Sequence, residues 1–218
     1  MTPASRRSTL TLLEATVVSS VCFGLFILAS LQAVMAGFPD AHYSETGNAW
    51  SIGVEAVLAV AALGYLRVRG FDIASLYPRP TLAGSVSGLG LFLLAWVIGA
   101  LAMLPFIAPD AEQVVGFSFA GVSLLSTVLF AMVNGAFEEV FLLGVLMRGL
   151  RGYGLSLAIG VPLLVRVLYH LYQGPLGVVW ILAFGLTFSL AYLRRQDLWP
   201  PVLAHVLWDI VPAVLAPG

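Results

Sequence analysis

Long apolar runs separated by short polar connections dominate the chain. Seven can be drawn, at about 10–36, 49–66, 81–104, 115–147, 154–172, 176–193 and 198–214. A helix needs about 20 predominantly apolar residues to cross a bilayer, and most of these runs are close to that. The pattern predicts an all-α, polytopic transmembrane bundle of about seven spans. Its N-terminal helices occupy 1–114 and a second group of helices 115–218.

The fourth run is too long for a simple crossing. Thirty-odd residues would reach roughly 45 Å, against a hydrocarbon core of about 30 Å. A long or broken helix is expected there, with Asn134-Gly135 as the natural place for a break. Pro162 should kink the fifth span. The first run exceeds the 7–15 residues of a secretory h-region, so it reads as a retained helix despite Val34-Met35-Ala36.

The arginines orient the bundle. Arg6 and Arg7 precede the first run, and Arg67, Arg69 and Arg79 lie at the connection between the second and third. Arg148 and Arg151 follow the fourth, and Arg194 and Arg195 the sixth. All fall on one side, whereas the alternate connections hold Asp40, His42 and Glu45, then Asp110 and Glu112, then the uncharged YQGPLG. By the positive-inside rule the N-terminus is cytoplasmic in a multi-pass cell-membrane protein, with the C-terminus outside.

Composition narrows the class. The chain is 60% hydrophobic and 10% charged, against about a quarter charged in soluble domains. A net charge of −1 gives no sign of a nucleic-acid partner. The bilayer is the partner that composition implies. The single cysteine, Cys22, excludes a disulfide framework and a cysteine metal site. All ten basic residues are arginine, which with abundant Ala, Gly, Val and Leu suggests a GC-rich bacterial genome.

Against this background a few ionisable residues stand out. Glu138 and Glu139 are the only charges between Phe117 and Arg148. Arg166 with His170, and His205 with Asp209, are pairs four residues apart in later runs, a spacing that places each pair on one helix face. Arg166 alone departs from the arginine segregation, so it must face the protein interior or a wet cavity. Ionisable groups inside spans are costly and mark function. Adjacent helix residues point about 100° apart, so one glutamate should face a site while the other supports it. A carboxylate in such surroundings suits the removal of a proton from water, and Asp209 could orient the His205 ring. A polar clasp between helices, with Arg166 as counterion, is the structural alternative. Glu14 should reach the interface near the first span's cytoplasmic end. Glu55, well inside the second run, could join a polar cavity or pair with an arginine. Straight helices would leave Glu138, His205 and His170 at depths of about 15, 9 and 24 Å, so tilts or breaks must bring them together.

At Glu138-Glu139, His170 and His205-x-x-x-Asp209 the chain resembles the CAAX-prenyl-endopeptidase and bacteriocin-processing family (CPBP, or Abi) of intramembrane proteases. That family carries Glu-Glu-x-x-x-Arg, Phe-x-x-x-His and His-x-x-x-Asn/Asp on successive transmembrane helices. The corresponding segments read EEVFLLG, RVLYH and HVLWD, and the resemblance covers about 115–215. It implies an intramembrane endopeptidase acting on a membrane-associated protein or peptide. Glu138 would activate water with help from His170, His205 and Asp209 would stabilise the oxyanion, and Glu139 would support the site. Leu143 stands at the motif's arginine position and Arg166 at its phenylalanine position. Arg166 is therefore expected to reach the carboxylates in place of the missing guanidinium.

Two histidines, His170 and His205, with Glu138 or Asp209 could hold zinc, since His₂-carboxylate plus water is a catalytic ligand set. The compact His-Glu-x-x-His signature is absent, and catalysis without a metal cofactor is the favoured expectation. Two other classes compete. A non-catalytic membrane protein, such as a bacteriocin-immunity or scaffold component, is favoured by the Leu143 departure. A proton-coupled transporter is opposed by the lack of repeat symmetry.

Overall fold

A computed structural model describes residues 7–106 and 115–215. Arg6, Asp110 and Glu112, three of the charges used to orient the chain, lie outside the described residues. Helices are the obligatory solution for chain this apolar, because backbone groups in hydrocarbon must be satisfied within their own segment. Seven form the bundle: α1 Leu12–Met35, α2 Glu45–Val68, α3 Leu82–Met103, α4 Leu124–Tyr153, α5 Leu155–Tyr169, α6 Gly174–Arg195 and α7 Trp199–Leu215. Polar residues mark the starts. Thr11, Ser44, Thr81 and Ser123 each accept a hydrogen bond from the backbone amide three residues on, which satisfies an otherwise orphaned donor.

Among the described residues five helices, α1 to α4 and α6, are long and apolar enough to cross a membrane. The protein is a multi-pass, all-α membrane protein. Of the seven expected crossings, α5 and α7 are shorter, at 15 and 17 residues. At 1.5 Å per residue they span about 22–26 Å, less than the hydrocarbon core.

Three expectations need correction. The fourth helix does not break at Asn134-Gly135. It runs as α-helix from Leu124 to Glu139 and then continues as a π-helical stretch, Val140–Met147. Gly135 serves close packing: a Cβ there would lie 3.2 Å from the backbone nitrogen of Val206 and 3.3 Å from the His205 Cβ. Asn134 donates its side-chain amide to Asp209 at 3.0 Å. Both residues are spent on contact with α7 and leave the α4 backbone regular, while the widened turn begins directly after the glutamate pair.

The start of the fourth run is not helix either. Phe117–Ser118 forms a short strand, β2, paired in parallel with β1, Ala41–His42. Asp40 accepts from the Gly116 amide at 2.8 Å, and Glu45 from the Ser123 amide at 2.6 Å. These acids tie the α1–α2 and α3–α4 connections together.

Glu14 does not reach out to the interface. It is buried, completes a capping box with Thr11, and is paired with Arg7 and, at 2.8 Å, with Arg69. Two arginines meeting one carboxylate make it easier to turn inward than to stay solvated. Pro162 lies inside α5 without ending it.

The core gathers around the π-helical part of α4, where Phe141, Leu142, Leu143, Val145, Leu146 and Met147 are at most 1% exposed. Helix α4 packs on α7 and α2, α3 on α6 and α7, and α1 on α5. Polar side chains from α4, α5 and α7 therefore meet in the middle of the bundle.

Candidate active site

The last turn of the α-helical part of α4 carries Glu138 and Glu139, and their different directions divide the roles. Glu138 lines a cavity of about 580 Å³; Glu139 does not, and is fully buried. The glutamate beyond the cavity wall needs compensation, because an isolated buried carboxylate is very costly. Arg166 of α5 donates to Glu139 Oε1 at 2.8 Å, and His205 Nδ1 lies 2.6 Å from the same oxygen. Arg166 also comes within 3.8 Å of Glu138 Oε2, and its guanidinium stacks 4.9 Å from the Phe184 ring centre. The arginine that broke the segregation pattern thus sits, 2% exposed, against both carboxylates.

His205 belongs to α7, and the close approach at Gly135 brings it to the glutamates. Its Nε2 is 3.8 Å from Glu138 Oε2 and 3.7 Å from Asp209 Oδ1. Nδ1–H donates to Glu139, so Nε2 is the ring atom turned towards Glu138 and Asp209. Asp209 is fixed from its other oxygen by Asn134.

His170 ends α5 and lines the same cavity. Its Nδ1 lies 2.9 Å from the Arg166 carbonyl oxygen. A carbonyl only accepts, so Nδ1 carries the proton and Nε2 is left free of that bond. The ring packs against Tyr169 and Tyr172, with centroids 4.4 and 6.1 Å away. Glu138, His170, His205 and Asp209 all contribute to one cavity wall, with Glu139 and Arg166 behind it.

Tyr169, Asn48 and Ser51 were not singled out from the sequence, whereas Glu55 was considered for a polar cavity and lines it. The Tyr169 hydroxyl donates to Glu138 Oε2. Its signal was available, because it lies within RVLYH one residue before the histidine, but a tyrosine in an apolar helix carries no charge to draw notice. Helix α2 adds Asn48, Ser51 and Glu55 to the cavity lining. Their spacing of three and four residues is one helical stripe. Glu55 is 3% exposed, and its Oε2 has no hydrogen-bond partner among the described residues.

The metal question can be put to the donor atoms. Glu138, Glu139 and His205 each offer a ligand atom within 4.8 Å of the others, and His170 is not part of that cluster. Arg166, however, already places a permanent positive charge 2.8 Å from Glu139 and 3.8 Å from Glu138. His205 spends one nitrogen on Glu139, and Glu139 does not face the cavity where a bound water would react. The donor set fits a catalytic zinc poorly.

With this geometry in place, the comparisons with known proteins can be set beside it. Residues 120–211 match the family model described as type II CAAX prenyl endopeptidase Rce1-like. This stretch is similar to that family over those residues. No curated protein and no solved structure matches the chain. The matched stretch runs from α4 into α7 with the short connections between them, and so contains both glutamates, Arg166, both cavity histidines and Asp209. The remaining cavity walls come from α1, α2 and the β1 and β2 connections, outside the matched stretch.

Proposed function

We propose that the protein is an intramembrane endopeptidase in which Glu138 activates water to hydrolyse a peptide bond of a membrane-associated protein or peptide. The observation that carries this reading is the position of Glu138. It is 5% exposed on the cavity wall, with Oε2 held by Tyr169 and no hydrogen bond to Oε1 from any described residue. A carboxylate oxygen fixed on one side and free on the other is placed to take a proton from a cavity water.

Glu138 Oε1 removes one proton as the water oxygen adds to the scissile carbonyl carbon. The carbonyl oxygen becomes an oxyanion. In its imidazolium form His205 donates from Nδ1 to Glu139 and offers Nε2–H to that oxyanion, a preorganised donor in a water-restricted site. Asp209, anchored by Asn134, holds the ring in register. The intermediate collapses with cleavage of the carbon–nitrogen bond. The proton taken by Glu138 passes to the leaving amine, and His170 Nε2 is the available carrier. Arg166 balances the two carboxylates, and Glu139 positions His205 and Arg166 without touching substrate. No step is routed through a metal.

The test is cleavage in proteoliposomes across a peptide panel, with and without chelator. Glu138→Gln should lower the rate by about 10²–10⁴, the usual contribution of a general base. His170→Ala should also lose activity, and chelator should leave the wild type unchanged. Full activity in Glu138→Gln would reject the mechanism. A cellular phenotype that survives this substitution would instead support a non-catalytic membrane role, the reading suggested by Leu143.

A further inference from the structure

The exposed part of the cavity lining includes no arginine. Its exposed lining residues are Pro39, Asp40 and Phe117 of the α1–α2 and α3–α4 connections, where β1 and β2 pair, with Ala29 in the second half of α1 and Pro212 in the last turn of α7. From there it descends along α2 from Asn48 to Glu55 and along α4 to Glu138. Fourteen helical residues separate Leu124 from Glu138, so the carboxylate lies about 21 Å below the start of α4.

The other end is closed. Beyond Glu138, no residue of α4 lines the cavity, and the π-helical stretch Val140–Met147 fills the space with buried apolar side chains. Arg67, Arg69, Arg79, Arg148, Arg151, Arg194 and Arg195 all lie on the far side of that floor, at connections that contribute nothing to the cavity. The charges at the open end are acidic, Asp40 and Glu45. Arginine-rich connections stay on the cytoplasmic side.

We propose that the site opens to the extracytoplasmic face, so that the segment it cuts is a peptide presented from outside. This rests on the peptidase reading above. It names the substrate as the outward-facing tail or juxtamembrane segment of an exported or membrane-anchored protein, and it excludes a cytosolic peptide.

Accessible thiols decide the question without relying on activity. Cys22 is fully buried and silent. Phe117→Cys marks the open rim, Ser51→Cys the cavity wall, and Gly152→Cys the arginine side, where nothing lies within 4 Å of an added Cβ. A small membrane-impermeant methanethiosulfonate should label Phe117→Cys and Ser51→Cys in intact cells, and Gly152→Cys only after permeabilisation. Labelling of Gly152→Cys in intact cells would overturn the orientation. Labelling of Phe117→Cys without Ser51→Cys would overturn the open shaft. Once a cleavable peptide is found, sealed right-side-out vesicles should cut it and sealed inverted vesicles should not. Failure of all cleavage, with the labelling as expected, would count against the peptidase reading alone.

Discussion

Replacing Arg166 should be the most damaging single change to the bundle. The guanidinium is 2.8 Å from Glu139 and 3.8 Å from Glu138. At an effective dielectric constant of about 20 these attractions are roughly 6 and 4 kcal/mol before desolvation. The net loss is smaller than their sum, because an arginine already desolvated in the folded protein is also removed. What remains after Arg166→Leu is a fully buried Glu139 with only His205 beside it. Breaking a buried pair in this way costs about 3–5 kcal/mol, and the lost stacking on Phe184 adds about 0.5–2 kcal/mol. Denaturant-induced unfolding in mixed micelles would measure the loss, and the proteoliposome assay should show activity abolished. A second variant separates charge from packing. Adding Glu139→Gln to Arg166→Leu removes the stranded carboxylate, so the double variant should recover much of the stability while remaining inactive. Arg166→Lys should fall in between, since one ammonium cannot span both carboxylates as a planar guanidinium does. A stability within about 1 kcal/mol of wild type for Arg166→Leu would refute the argument, because it would mean that Glu139 does not depend on that charge.

Other substitutions test separate links. Tyr169→Phe removes the hydroxyl that holds Glu138 Oε2; it should cost about 1 kcal/mol of stability and lower kcat with little change in KM, read from initial rates in proteoliposomes. Gly135→Leu forces a side chain against Val206 and His205; it should cost about 1–3 kcal/mol by overpacking and abolish cleavage by displacing α7, as the same two measurements would show. Glu14→Gln keeps an acceptor for the Thr11 amide but loses the charge facing Arg7 and Arg69, which are 32% and 53% exposed; unfolding should register only about 1 kcal/mol, because exposed partners are already solvated, and cleavage should persist.

The membrane class and the main polar residues were legible because a bilayer penalises charge so heavily. Glu138, Glu139, Arg166, His170, His205 and Asp209 stood out against apolar surroundings, and the structure places all of them in or directly behind one cavity. Neutral contributors were invisible for the same reason. Tyr169 and Ser51 carry no charge to mark them, and Asn134 looked like a helix breaker when its role is to hold Asp209. Glu14 was misplaced because its partners come from the N-terminal arm and from Arg69, 55 residues away. The β1–β2 pairing joins positions 41 and 117, and two-residue strands have no period to read. The π-helical stretch also left no signature, since eight consecutive apolar or small residues fit either helix type.

The exchange between positions 143 and 166 shows how one charge requirement can be met from two places. The resemblance to the CPBP pattern puts an arginine five residues beyond Glu138, where this chain has Leu143. In the structure that position is 1% exposed within the apolar floor of the cavity, and nothing acidic is recorded against it. Two adjacent buried glutamates still require a cation, because unpaired charge in such an interior is several kcal/mol too costly. Arg166 meets the requirement from the neighbouring helix. Its backbone carbonyl accepts the His170 Nδ1 proton while its side chain reaches Glu139 and Glu138. One residue therefore sets the orientation of a cavity histidine and the charge balance of both carboxylates. Leucine at 143 is then the packing complement of that exchange, filling the floor that closes the cavity on the arginine-rich side.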